Sequence, residues 1–197
     1  MLISNIWLIG WRTIFWISYA AWALFEFWVF SRDRHAVRGR KRDGGSIFVL
    51  VALIVLAIFT AFLSPWLAPW ARIAIRSPVV PALAALMLWS GMALRLWAIL
   101  TLGRFFRTTV TVQDDHRLVT AGPYRVLRHP AYTGAIVTIC GIALFMNNWL
   151  SFLGALVLVL IGYGIRIRVE ERALRERFGD AFREQRARSW AILPFVW

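Results

Sequence analysis

The sequence predicts an all-α, polytopic membrane bundle with about five transmembrane helices. Three observations carry that prediction. Of 197 residues, 60% are hydrophobic, above the roughly half that is usual in a soluble domain. Several uncharged stretches are long enough to cross a bilayer. The net charge of +13 is almost wholly arginine, Lys41 being the only lysine, and it gathers between those stretches, where cytoplasmic loops collect basic residues. A strongly basic chain raises a nucleic-acid reading, but arginines clustered between apolar spans fit membrane topology better. Cys140 is the only cysteine, so no disulfide framework is expected. His35, His116 and His129 show no metal-ligand spacing, and no metal is expected.

Span one runs from about Ile6 to Phe30 and carries Arg12 and Glu26. It has no basic n-region before it, so a retained span is expected rather than a cleaved signal. Span two runs from about Ser46 to Phe62, after which the two prolines of "SPWLAPW" are expected to break the helix. Span three covers about Val79 to Leu100, and a polar segment follows from Thr101 to Leu127. From Pro130 to Ile165 no residue is charged. As one helix that run would measure roughly 54 Å at 1.5 Å per residue, against a hydrocarbon core of about 30 Å. It must fold back, and Asn147–Trp149 is the natural turn. Spans four and five thus form a tight hairpin. The chain divides into three N-terminal spans with a basic loop, 1–101, and a region with the hairpin and most of the polar chemistry, 102–197.

Basic residues set the orientation. They cluster in the loop after span one, in the segment between spans three and four, and in the tail from Arg166 onward. Five spans with the N-terminus outside and the C-terminus inside place all three clusters in the cytoplasm. Glu26 and Arg95 then lie at similar depth near the cytoplasmic ends of spans one and three. A structural role is expected for them, with snorkelling the plain reading, above all for Arg95, and pairing the lesser alternative.

The functional polarity sits in two pieces that flank the hairpin, "TVQDDHRLVTAGPYRVLRHPAYTG" and "GIRIRVEERALRERFGDAFREQRARSWAILPF". Because the hairpin returns the chain to the same membrane face, the two pieces should meet. Pro130 suits the first turn of span four, where its missing N–H costs nothing, and His129 then sits near the N-cap. Arg166 and Glu170 share one face of a helix at i,i+4 spacing, Arg166 where that helix leaves the bilayer. The exposed-looking Arg168, Arg172, Arg175 and Arg177 read as a basic surface facing lipid headgroups. Gly134, Thr138 and Gly141 would let span four pack closely on a neighbour.

"GPYRVLRHPAYTG", followed by an apolar hairpin, "RVEERALRERFGDAF" and a terminal "LPF", resembles the isoprenylcysteine carboxyl methyltransferase family over roughly Gly103 to Trp197. That resemblance implies an integral membrane enzyme using S-adenosyl-L-methionine. Its cofactor pocket would correspond to Gln113, His116, Arg117, Leu118, Val119, Tyr124, His129, Pro130, Ala131 and Tyr132. Its catalytic pair would correspond to Arg166 and Glu170. The chain departs from the family tail at Phe182 and Gln185, where tyrosines are frequent, and at Trp190, where a proline is. Those departures bear on the substrate more than on the cofactor.

The implied chemistry fits the residues. Tyr124 and Tyr132 offer faces to an adenine or a sulfonium. His129 and the free N–H groups at the start of span four suit a carboxylate. Arg166 suits holding an acceptor carboxylate through two donors, with Glu170 fixing the guanidinium. The expected partners are a lipophilic or lipidated substrate and membrane lipids, with the site facing the cytoplasm. Three other readings stand beside this one: methylation of a phospholipid amine, an NADPH-dependent sterol-type reductase, and a non-catalytic scaffold or transporter.

Overall fold

Long apolar runs free of interior charge fold as helices here because, in lipid, only a helix satisfies each backbone group within its own segment. A computed structural model describes residues 2–34, 40–41, 44–74, 78–106, 111–112 and 118–194. The helices are α1 (Leu2–Arg34), α2 (Ser46–Leu67), α3 (Val79–Leu102), α4 (Pro130–Phe145), α5 (Trp149–Phe178) and α6 (Asp180–Ala187). Short 3-10 turns cover Pro69–Ala71, Gly103–Phe105 and Gly122–Arg125. Four helices, α1, α2, α3 and α5, are long and apolar enough to cross a membrane. The fifth predicted span, α4, has 16 residues, about 24 Å of helix.

Shortness suits α4 because it is the interior of the bundle. Most of its residues are buried, and it packs against α1, α2, α3 and α5. The outer helices turn large apolar side chains outward instead, including Phe48, Trp66, Leu86 and Val157. An apolar exterior that extensive is a lipid-facing surface.

Small residues set the closest approach. A Cβ added to Gly134 would lie 2.5 Å from the Gly91 carbonyl oxygen and 2.7 Å from the Arg95 nitrogen. One on Gly141 would lie 2.6 Å from the Leu88 nitrogen. The predicted neighbour of the Gly134–Thr138–Gly141 stripe is therefore α3, which contributes Gly91 to the same seam. Thr138 Oγ1 donates within α4 to the Gly134 carbonyl at 2.8 Å, so its hydroxyl is satisfied in the apolar contact. The α3–α4 seam crosses the 101/102 division, and so does the packing of α2 on α5.

The end of α2 differs from the expectation. Pro65 does not break the helix, which continues to Leu67. Proline leaves the carbonyl four residues back without its helical N–H, here that of Ala61. Ser151 Oγ of α5 donates to that carbonyl at 2.8 Å. The helix stops only before Pro69, where Asn148 Nδ2 donates to the Ala68 carbonyl at 2.9 Å. Asn148 also caps α5, its Oδ1 accepting from the Leu150 and Ser151 N–H groups at 2.9 and 3.1 Å. The predicted turn at Asn147–Trp149 thus joins the hairpin and seals the neighbouring α2 end; Asn147 adopts φ 52° there.

The opposite end gathers the basic segments. A two-residue antiparallel ladder, absent from the expectation, pairs Arg40 with Val112 and Lys41 with Thr111 (β1, Arg40–Lys41; β2, Thr111–Val112). It ties the loop after α1 to the loop after α3. Gln185 of α6 donates to the Val119 carbonyl at 3.4 Å, joining the tail to the same loop. The described parts of the two loops and of the tail therefore meet at one end of the bundle.

Candidate active site

Pro123 and Pro130 restrict the backbone near either end of the segment that leads into α4. The turn at Gly122–Arg125 begins at Gly122, with φ 55°, a conformation that costs glycine little. Tyr124 then points inward against Ala98 of α3 and Ala131 of α4. Its hydroxyl donates to the Ala98 carbonyl at a long 3.5 Å. Burial, and after it the nearby Glu170 carboxylate, push the Tyr124 phenol above its ordinary range, so it stays neutral.

Residues 126–129 lie alongside the C-terminal segment. The Trp190 N–H donates to the Val126 carbonyl at 2.9 Å, and the Arg128 N–H donates to the Trp190 carbonyl at 2.7 Å. The His129 N–H donates to the Ala191 carbonyl at 3.0 Å. Thr133 Oγ1 adds a bond to the Ile192 carbonyl at 2.8 Å. Three residues of tail, Trp190 to Ile192, thereby hold the approach to α4 as a neighbouring strand would, without a sheet.

His129 occupies the N-cap of α4, as expected, and Pro130 takes the first helical position. The His129 ring makes no cap bond. It faces α5 instead, with Nε2 3.4 Å from Glu171 Oε1 and Nδ1 3.8 Å from Glu170 Oε2. The Tyr132 ring stacks on His129 at 5.4 Å and 2° between planes, and on its other side meets Tyr163 of α5 at 5.0 Å. The Tyr132 hydroxyl donates to Glu170 Oε2 at 2.7 Å. The two polar pieces flanking the hairpin therefore meet, through the start of α4 and the far end of α5.

The structure redistributes the acidic roles. Glu170, assigned by its spacing to the Arg166 guanidinium, accepts from Tyr132. Arg166 is 1% exposed, and its Nη1 donates to Ser46 Oγ of α2 at 2.7 Å. Glu171 takes on more than its neighbour. Its Oε1 accepts from Arg128 Nε at 2.9 Å, and its Oε2 lies 3.9 Å from Arg186 Nε. Arg128 also donates through Nη1 to the Arg186 and Ser189 carbonyls. Leu118 and Val119 lie in the loop leading to Tyr124; Val119 packs on the Ala98–Tyr124–Ala131 cluster. Gln113, His116 and Arg117 lie outside the described residues.

Five contributors escaped the sequence reading of the site: Ser46, Glu26, Arg95, Tyr163 and Glu171. Glu171 and Arg95 left a signal, one as half of an acidic pair, the other as a charge inside a span. Ser46 and Tyr163 left none, since a serine opening a helix and a tyrosine in an apolar run are ordinary. Glu26 and Arg95 do pair: Arg95 Nη2 donates to Glu26 Oε2 at 3.0 Å, and Nε lies 2.9 Å from Oε1.

The chemistry of this set suits a cationic nucleoside ligand: stacked imidazole and phenol rings, a second phenol, and two carboxylates at one end of a bundle. No group of three or more metal-ligating side chains occurs among the described residues.

Comparison with known proteins points the same way. A profile of the isoprenylcysteine carboxyl methyltransferase (ICMT) family matches residues 83–176. Protein-S-isoprenylcysteine O-methyltransferase B of Arabidopsis thaliana is 34% identical over 112 residues, 56% of this chain and 57% of the plant protein. Protein-S-isoprenylcysteine O-methyltransferase of Schizosaccharomyces pombe is 31% identical over 111 residues, 49% of this chain and 47% of its own length. The solved structure of the eukaryotic intramembrane Ras methyltransferase ICMT superposes with a TM-score of 0.62 at 26% identity, covering 74% of this chain and 52% of that one. The chain thus spans about half the length of the curated relatives it matches. Sequence profile, relatives and shared membrane fold all point to the isoprenylcysteine carboxyl methyltransferases, and the stretch the family profile matches, residues 83–176, carries Arg95, the His129–Tyr132 turn and Glu170–Glu171.

Proposed function

We propose that the protein is a methyltransferase that uses S-adenosyl-L-methionine and methylates the carboxylate of a lipophilic, isoprenylcysteine-type acceptor at the cytoplasmic face of a membrane. The observation that carries this reading is the meeting of His129 and Tyr132 with Glu170 and Glu171 at one end of a lipid-facing bundle. The orientation rests on the gathering of arginines at that end, which favours the cytoplasmic side.

Tyr124, His129, Tyr132 and the loop at Leu118–Val119 would hold the donor, together with Gln113, His116, Arg117, Pro130 and Ala131. When bound, the donor supplies an electrophilic methyl group on a sulfonium. The acceptor carboxylate is already ionised near neutral pH, so the chain has no proton to remove. Its work is to align and to exclude water. Glu170 holds the Tyr132 hydroxyl and so fixes the ring between His129 and Tyr163. Arg166 takes the acceptor carboxylate through its planar fork. Ser46 Oγ accepts from Nη1 and helps to orient that fork. The acceptor reaches Arg166 from within the bundle, which a lipid tail running between helices permits.

Calorimetry on the purified protein tests the donor. S-adenosylhomocysteine should bind and NADPH should not; binding of NADPH alone would overturn the reading in favour of a reductase. Methyl transfer to a farnesylated cysteine analogue tests the acceptor. Arg166→Lys keeps the charge but loses the fork, and turnover should drop at least tenfold, as expected for loss of a charge-assisted bond. Near-normal turnover would remove Arg166 from the proposed role.

A further inference from the structure

Arg95 reaches in two directions from the C-terminal half of α3. On one side it meets Glu26 of α1, as described. On the other, Nη1 donates to the Ala131 carbonyl at 3.1 Å. That carbonyl belongs to the first turn of α4, between Pro130 and Tyr132. Gly134, one turn on, has no side chain, which lets the Arg95 backbone press against α4 there. Glu26 lies in α1, outside the stretch matched to the family.

We propose that Arg95, locked by Glu26, is a positioning residue for the donor pocket. It holds the turn of α4 that aims His129 and Tyr132. The inference rests on the donor reading given above.

The physical argument concerns a buried cation with two jobs. Arg95 is 9% exposed, and at its depth a guanidinium without a counter-charge is costly. The Glu26 carboxylate neutralises it, and the bond from Nη2 to Oε2 turns one side of the guanidinium toward α1. Nη1, on the other side, lies along the α3–α4 seam, where the Ala131 carbonyl accepts it. The turn is then gripped from α3 through Ala131, from the tail through His129 N–H and Thr133 Oγ1, and from α5 through the Tyr132 hydroxyl. Removing the α3 grip frees the turn to rotate about the other two. Span one, whose Leu24 and Phe27 face outward, thereby gains a part in the site through one carboxylate.

Glu26→Gln and Arg95→Lys test this, with S-adenosylhomocysteine titrated calorimetrically into each purified protein. Calorimetry reports stoichiometry and Kd separately. A merely structural pair changes how much protein is folded and so lowers the stoichiometry while leaving Kd alone. A positioning residue raises Kd at constant stoichiometry. The lysine keeps the charge opposite Glu26 but has no fork to serve both partners. Both variants are expected to weaken Kd by about tenfold, the effect of one charge-assisted hydrogen bond. An unchanged Kd in Arg95→Lys, or a loss confined to stoichiometry in both variants, overturns the inference. If Arg95→Lys does not fold, the Kd of Glu26→Gln decides alone. If the unaltered protein gives no heat with S-adenosylhomocysteine, the donor reading itself fails, and this inference falls with it.

Discussion

Replacing Gly91 with alanine should loosen the seam on which the site is built. A Cβ there would lie 2.5 Å from Thr138 Oγ1 and 2.6 Å from both the Gly134 carbonyl oxygen and the Thr138 nitrogen. Two of those three atoms are backbone, so no side chain can swing aside. To reach an ordinary contact of 3.4 Å the helices must separate by about 0.8 Å. Overpacking of this kind costs typically 1–3 kcal/mol, and a rigid backbone contact belongs at about 3. Alanine returns about 1 kcal/mol in helix propensity, leaving a net loss of about 2 kcal/mol. Gly164→Ala is the control. Nothing lies within 4 Å of its added Cβ, so it should gain up to about 1 kcal/mol. Unfolding in mixed micelles, followed by the fluorescence of the 12 tryptophans, measures both. Equal shifts of the two midpoints in the same direction would refute the close-packed seam.

Three further outcomes are expected. Glu171→Gln leaves Arg128 and His129 facing a neutral amide and should destabilise the fold by about 3 kcal/mol; limited proteolysis of the tail after Gly179 reads the loosened clasp. Ser151→Ala leaves the Ala61 carbonyl, already deprived of a helical donor by Pro65, without its hydroxyl, at a cost of about 1–2 kcal/mol, and denaturant titration measures it. The raised Tyr124 phenol ionises later in the fold than in the unfolded chain, where it titrates near about 10. Its contribution is therefore complete below that pH and is lost as pH rises through the folded value. Tyr124→Phe should flatten the fall in stability above about pH 10, seen in melting temperatures taken across that range.

The pair at Glu26 and Arg95 shows where reading a sequence stops. Each charge sits in an apolar helix and is conspicuous there, so a structural purpose was legible. Which of them meets the other, and that Arg95 also reaches α4, depends on how α1 and α3 are rotated. Hydropathy carries no such information, because a lipid-facing side and a partner-facing side are both apolar.

Local chemistry by itself determined a good deal. The lengths of the uncharged runs, the hairpin at Asn147–Trp149, the N-cap at His129 with Pro130 behind it, and the meeting of the two polar pieces all follow from rules that act within a few residues or from the thickness of a bilayer. Tertiary structure alone decided the partners. It gave Glu170 to Tyr132, set Arg166 against Ser46, made Glu171 the anchor of the C-terminal segment, and carried α2 through Pro65 because Ser151 was at hand. The reason is that a hydrogen bond is selected by distance and angle between atoms up to 120 residues apart in the chain, and an i,i+4 spacing shows only which side chains share a face, not which neighbour that face will meet.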